Sequence, residues 1–304
     1  MSAFAISDNI VRPFRLERTE LRGRLVRLGA TVDQVLTRHD YPEPVSRLLG
    51  ELFVLAATLA GALKFKGTFS LQTRSNGPIR LMVADCTHDG TMRGYADFDA
   101  ARVAAVDPMS ARDLLGEGHL ALTVDQDHLR TAYQGVVELT GETLTDCMQT
   151  YFRQSEQIRT GVKINVEQVP GVGGWRAGGL MIQCLPEQAE RLASFDVEDD
   201  WRRTMLLMGT VTEAELVDPD LPPERLLLHL FHEEGVRVFD PLRLSFGCRC
   251  TRERVEALLR SFPEDELEDM KQDDGELLVT CQFCNASFRF NDAELAQLHL
   301  RTSH

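Results

Sequence analysis

Apolar positions along the chain fall into two periods. Over residues 34–63 they recur at helix spacing: Val45, Leu48, Leu49, Leu52, Leu55, Ala56 and Leu59 lie on the repeat, behind a breaker-rich entry at Tyr41-Pro42-Glu43-Pro44. Over residues 67–83 the period shortens to two. Phe69, Leu71 and Thr73 alternate, Asn76-Gly77-Pro78 punctuates, and residues 79–83 read as the returning strand. Further strands are expected over 120–124, 133–139, 162–169 and 179–185, with a helix over 144–158 carrying Cys147, Met148, Tyr151 and Phe152 on one face. Strands with interspersed helices, without regular alternation, predict an α+β fold.

Pro186 opens a different regime. Residues 187–208 mix acids with Leu192, Phe195, Trp201, Met205, Leu206, Leu207 and Met208, and Pro222-Pro223 starts a helix over 224–234 containing Leu226, Leu227, Leu228, Leu230 and Phe231. Short helices without a strand read as a middle segment rather than an independent core. From about Val236 a small module is expected: a strand-like 236–239, a first cysteine pair, an Arg/Glu-rich helix over 252–261, an acidic helix and turn over 264–276, and a hairpin around a second pair. The predicted organisation is therefore a mixed α/β core domain over 1–185, a helical linker over 186–240, and a small zinc-binding α+β module over 241–304.

Composition narrows the classes. The 304 residues are 43% hydrophobic and 26% charged, a globular balance, with a net charge of -14 that repels phosphate backbones. Nucleic acid is not an expected partner. The apolar run 52–63 is shorter than the roughly 20 residues a spanning helix needs. The N-terminal residues lack a basic region followed by a sustained apolar one, so a cytoplasmic protein without a membrane partner is expected.

Cysteine usage carries the chemistry. Of seven cysteines, Cys86, Cys147 and Cys184 stand alone in apolar-patterned segments and are expected to be inert core residues. The others form Cys248-Arg249-Cys250 and Cys281-Gln282-Phe283-Cys284, with 30 residues between the pairs. Four thiolates suit Zn²⁺, which accepts tetrahedral sulfur ligation without redox chemistry of its own. One zinc per chain, held by Cys248, Cys250, Cys281 and Cys284, is the expected cofactor. An alternative uses Cys281, Cys284, His299 and His304 as a Cys₂His₂ finger, but 14 residues separate Cys284 from His299 where about 12 are usual. That reading leaves Cys248 and Cys250 unexplained, and His299 and His304 are expected to be solvated. A thioredoxin-like motif needs a helix after the first cysteine, whereas both flanks of Cys281–Cys284 look like strands.

A module of this size draws about 3–5 kcal/mol from its own core, against roughly 10–16 kcal/mol for a structural zinc. Removing the metal should unfold it. Arg249, Arg252 and Arg254 place positive charge beside the thiolates, and each short pair can close on itself, the tiny ring of the first making its disulfide easily reduced. Chemistry alone leaves a redox switch and a purely structural zinc knob equally open.

Enzymatic motifs fail. His232-Glu233-Glu234-Gly235-Val236 lacks the second histidine of H-E-x-x-H, and His229 with His232 could share a metal, although packing or capping is the commoner role of such a pair. Gly171-Val172-Gly173-Gly174-Trp175-Arg176 reads as a hairpin turn, and no phosphate-binding loop or nucleophile elbow is present. Neither catalysis nor ATP use is expected.

Taken together, Phe246-x-Cys248-x-Cys250, Val279-x-Cys281-x₂-Cys284, Phe288-x-Phe290-Asn291, Asp274-Gly275-Glu276 and His232-Glu233-Glu234 resemble the redox-regulated holdase chaperones, bacterial heat-shock proteins of about thirty-three kilodaltons. The N-terminal His39-Asp40-Tyr41-Pro42, Met92-Arg93-Gly94, Tyr133-Gln134-Gly135 and Tyr151-Phe152-x₂-Ser155-Glu156-Gln157 extend that resemblance over essentially the whole chain. It implies a reduced, zinc-bound, inactive form. Oxidation would then pair Cys248 with Cys250 and Cys281 with Cys284, release zinc, unfold the C-terminal module and loosen the linker. The activated form would be a homodimer that holds unfolding client proteins without ATP. The Leu/Met-rich stretches 201–208 and 226–231 are the expected client surface, unless they are ordinary helix core.

Overall fold

The helical run of residues 34–63 resolves into two helices, α1 (Ala30–Leu36) and α2 (Glu43–Ala60). Proline has a fixed φ and no N–H, so it suits a first helical turn, and Pro42 and Pro44 set where α2 begins. The computed structural model describes residues 8–106, 110–126, 133–169, 171, 173–184 and 195–300, with side chains omitted for 195–197 and 299–300. Within these, the chain divides into two compact units, Met1–Phe246 and Gly247–His304.

In the first unit, β1 (Ile10–Leu16) and β2 (Arg22–Leu28) precede the two helices, and β3 (Gly67–Ser75), β4 (Ile79–Thr87) and β5 (Thr91–Phe98) follow them. Short helices α3 (Ala100–Ala104) and α4 (Ala111–Leu115) lead to β6 (Gly118–Gln126), β7 (Tyr133–Glu138) and helix α5 (Leu144–Tyr151). The helix expected over 144–158 leaves α geometry after Tyr151: Phe152–Glu156 form a π turn, which Gln157 closes at φ 55°. A long hairpin, β8 (Arg159–Gln168) and β9 (Trp175–Cys184), comes next. Helices α6 (Phe195–Gly209), α7 (Glu213–Val217) and α8 (Pro223–Phe231) then lead to β10 (Val236–Val238), β11 (Leu242–Arg243) and β12 (Ser245–Phe246). The expected start of the middle segment, residues 186–192, lies outside the described residues.

Two sheets result. The first runs β10-β1-β2-β9-β8, with β11 also pairing to β1; the second runs β12-β5-β4-β3-β6-β7. All pairings are antiparallel except β12 with β5. The strand expected over 236–239 thus pairs with β1 in the first unit rather than opening the small module. Helix α2 contacts β2, β8 and β9 of one sheet and β3, β4 and β5 of the other. Fourteen of its residues are buried, so its apolar character all round reflects an interior position. Among the described residues, no helix is long and apolar enough to cross a membrane.

The first sheet is covered on both faces. Val26, Leu28, Trp175, Ala177 and Met181 join α2 in the larger core, while Phe14, Leu16, Leu25, Leu180 and Ile182 face Met208, Leu216, Leu226, Leu227 and Phe231 of the middle helices. Gly178 and Gly179 allow this double packing. A Cβ on Gly178 would meet the Leu216 carbonyl oxygen at 2.0 Å, and one on Gly179 would meet Val54 at 2.4 Å.

The second unit holds α9 (Arg252–Leu259), α10 (Glu264–Asp269), the hairpin β13 (Leu277–Thr280) with β14 (Ser287–Phe290), and α11 (Asp292–Leu300). Its own core gathers Val255, Leu259, Leu267, Leu277, Phe290, Leu295 and Leu298. The fold is mixed α/β throughout.

Candidate metal centre

Two local structures deliver the four paired cysteines. Cys248 and Cys250 lie on the extended segment before α9, whose start is fixed by Thr251 accepting the Arg254 N–H at 3.3 Å. Arg254 in turn donates to the Arg249 carbonyl at 3.0 Å, folding the segment back over the helix entry. Cys281 and Cys284 occupy the tip of the β13–β14 hairpin. There the Cys281 N–H donates to the Ala286 carbonyl at 2.9 Å and Asn285, at φ 57°, donates to the Cys281 carbonyl at 2.8 Å. Arg252 clamps helix to hairpin: its guanidinium lies 4.3 Å from the Phe290 ring centroid and donates to the Arg289 carbonyl and to Glu294.

All four sulfurs lie within 4.8 Å of one another. Cys248 Sγ is 3.7 Å from Cys281 Sγ, and Cys250 Sγ is 3.1 Å from Cys284 Sγ. A tetrahedron with metal–sulfur bonds of about 2.3 Å has edges of about 3.8 Å, so the donor set fits a tetrahedral thiolate site. Burial acts to raise the Cys248 thiol, but hydrogen bonds from the Cys250 N–H and the neighbouring thiols overcome it and bring the group down to about 7. Cys250 is pushed up, first by burial and then by its hydrogen bonds with the Cys284 and Cys248 thiols, and burial also raises Cys284. The cluster thus cannot shed all its protons together without a cation at its centre to offset the accumulated charge.

The structure therefore brings together the four cysteines paired in the sequence, and no other metal-ligating cluster occurs among the described residues. His304 and the side chain of His299 lie outside the described residues, and Cys281 and Cys284 sit with Cys248 and Cys250. His229 and His232 are exposed on α8 and the turn that follows it. Cys86, Cys147 and Cys184 are buried and far from reactive. Burial pushes Cys86 up to about 12 and also raises Cys147 and Cys184.

A second functional arrangement has no obvious signal in the sequence. Polar side chains of the first sheet grip the backbone of the middle segment. Arg27 donates to the Glu215 carbonyl at 2.7 Å and to that of Asp218, and Arg176 donates to the Val217 carbonyl at 2.6 Å. Asn165 reaches the Glu213 carbonyl at 3.0 Å, and Lys163 reaches those of Gly209 and Val211. Arg27 and Arg176 satisfy carbonyls at the end of α7 that the helix leaves without partners, while Lys163 and Asn165 hold the end of α6 and the entry to α7. The 201–208 and 226–231 stretches consequently lie mostly packed, with Leu206 and Leu228 facing outward at 67% and 55% exposure.

Comparison with known proteins adds relatives across the chain. The family model described as Hsp33 protein matches residues 8–291. A protein named 33 kDa chaperonin from Caulobacter vibrioides is 42% identical over 292 residues, covering 94% of this chain and 96% of its own. One of the same name from Azotobacter vinelandii is 41% identical over 287 residues, covering 94% and 92%. The crystal structure of a 33 kDa chaperonin from Thermotoga maritima superposes with a TM-score of 0.79 at 24% identity, covering 97% of this chain and 98% of that one.

Proposed function

The chain belongs to the Hsp33 protein family, and on that premise we propose that it is an ATP-independent holdase switched on by oxidation. The observation that carries the reading is the convergence of four sulfurs within 4.8 Å on two separate segments, the α9 entry and the hairpin tip. Cys248, Cys250, Cys281 and Cys284 hold one Zn²⁺ in the reduced protein, where the ion acts as a redox-inert crosslink between the α9 entry and the hairpin tip.

Oxidation by two equivalents of peroxide converts the four cysteine sulfurs into two disulfides. Four electrons pass to the two peroxides, and four protons taken up from solvent, since sulfurs that hold a metal are thiolates, complete four waters. The resemblance implies pairing within each segment, Cys248 with Cys250 and Cys281 with Cys284. Either way the donor set is lost, and the 241–304 module loses the crosslink on which its small core depends. Loosening of the 186–240 linker then uncovers the Leu/Met faces of α6 and α8 together with Phe14, Leu16, Leu25, Leu180 and Ile182 beneath them. Flexible, apolar surface of this kind suits unfolding client proteins of many sequences. The oxidised form acts as a homodimer in the cytoplasm, without catalysis and without nucleic-acid or membrane partners, and the -14 charge keeps a client-loaded chain in solution.

The test compares reduced protein with protein treated with peroxide or hypochlorite. Oxidised protein is expected to release one zinc per chain, to show two disulfides by peptide mapping, and to suppress aggregation of a thermally unfolding client without ATP. Equal suppression by the reduced, zinc-loaded form would reject redox control.

A further inference from the structure

A cavity of about 350 Å³ lies in the first unit beyond the end of α2, between β2 and β9 of one sheet and β3 and β6 of the other. Helix α2 stops at Ala60, so the sheets lose their common filling there. The walls are apolar on one side, from Phe69, Leu122, Val124 and Phe152. The opposite wall carries Arg22 and Arg24, adjacent on the same face of β2.

Arg24 is unusual. It projects on the face of β2 that carries buried Val26 and Leu28, and among the described residues its guanidinium has no hydrogen bond or ion pair. Its buried Nε has no partner. Burial, and then the like charge of Arg22, bring it down to about 10. The carboxylate on the cavity wall does not neutralise it. Glu156 accepts hydrogen bonds from Tyr151 at 2.7 Å and Tyr133 at 3.4 Å instead. Desolvated cations are ordinarily paired, so Arg24, with the exposed Arg22 beside it, calls for an anion that the described residues do not supply.

We propose that the cavity binds a single-tailed amphiphilic carboxylate, its head held by Arg22 and Arg24 and its hydrocarbon tail against Phe69, Leu122 and Phe152. The guanidinium fork matches a planar carboxylate in bidentate fashion. A dianionic phosphate would carry excess charge close to Glu156, which favours the monovalent head. The volume lies at the low end of small-molecule sites, about 300–1,000 Å³, which admits one tail and excludes a two-tailed lipid or a folded client. This site is independent of the cysteine cluster and belongs to the reduced form.

Decanoate and its uncharged counterpart decanol are titrated into the full, reduced, zinc-loaded chain and followed by calorimetry. Decanoate should bind once per chain and at least tenfold more tightly than decanol. Arg24→Gln should abolish that preference, and Arg22→Gln should weaken it. Leu122→Trp, which fills the cavity and leaves both charges in place, should weaken both ligands at least tenfold. Equal affinity for decanoate and decanol, several decanoates per chain, no saturable binding, or unchanged affinity in Arg24→Gln would each overturn the proposal. The comparison of the two ligands on the unaltered chain decides the matter even if a variant fails to fold. Aggregation suppression is not a readout, so the outcome leaves the holdase reading untouched.

Discussion

Replacing Arg27 by Met tests whether the polar grip on the middle segment controls its docking. Arg27 is 1% exposed and donates to the carbonyls of Glu215 and Asp218. Hydrogen bonds from a charged donor contribute about 1.5–3 kcal/mol each, so the pair gives roughly 3–6 kcal/mol in gross terms. Burial works the other way, holding the guanidinium at about 10 rather than 12.5. At about 1.4 kcal/mol per pKa unit this offsets roughly 3 kcal/mol of the gain. Met conserves much of the volume, so the net loss should be at most about 3 kcal/mol, a factor of up to roughly 150 in a local opening equilibrium. Because the lost bonds end on α7 and the residue after it, the effect should be confined to the middle helices. Hydrogen exchange of reduced Arg27→Met should accelerate by that factor across α7 and α8 and stay unchanged in β3, β4 and β6. The same variant should suppress client aggregation partly without oxidant. Unchanged exchange in α7, or uniform acceleration over the whole first unit, would refute the reasoning.

Two further outcomes follow from buried titrating groups. Burial raises the Glu51 carboxyl from 4.5 to about 7, so the folded chain keeps a proton that the unfolded chain releases at lower pH. Stability from this group is therefore full below about pH 4.5 and falls as the pH rises to about 7, by at most roughly 3 kcal/mol. Glu51→Gln should raise the urea midpoint at pH 8 and leave it nearly unchanged at pH 4.5. After chelation of the metal at pH 8, iodoacetamide should add four labels per chain, at Cys248, Cys250, Cys281 and Cys284. Cys86, Cys147 and Cys184 should label only in denaturant, and seven labels without denaturant would contradict their burial.

Hydrophobic period made some elements legible and hid others. Helix α2, the β3–β4 hairpin and the hairpin around Cys281 and Cys284 follow directly from spacing and turn residues, because each has a burial pattern local sequence can express. Strand β2 does not. Arg22, Arg24 and Arg27 look like solvent positions, yet both faces of this strand are covered, and Arg27 finds its partners about 190 residues away in the chain. The first half of β9 was obscured in the same way, since Gly178 and Gly179 lower strand propensity for the sake of close contact on opposite faces. The cysteine set was fully legible as chemistry, since close spacing along the chain needs little tertiary information. The clamp on the middle segment was not, because its acceptors are backbone carbonyls, which every residue carries.

The eleven residues 236–246 give the fold a sequence of fasteners. Strands β10 and β11 close onto β1 of the first sheet, and β12 closes onto β5 of the second. A disturbance that begins at Cys248 and travels back along the chain meets β12 first, then β11, then β10, before it reaches α8. Each fastener is two or three residues long, so each opens cheaply, but they open in series. If the proposed switch operates, small fluctuations in the cysteine unit should die out at the first of them, and only a lasting loss of structure there should undo all three. On the proposed reading, the same short stretch would filter noise and set a threshold for uncovering the middle helices.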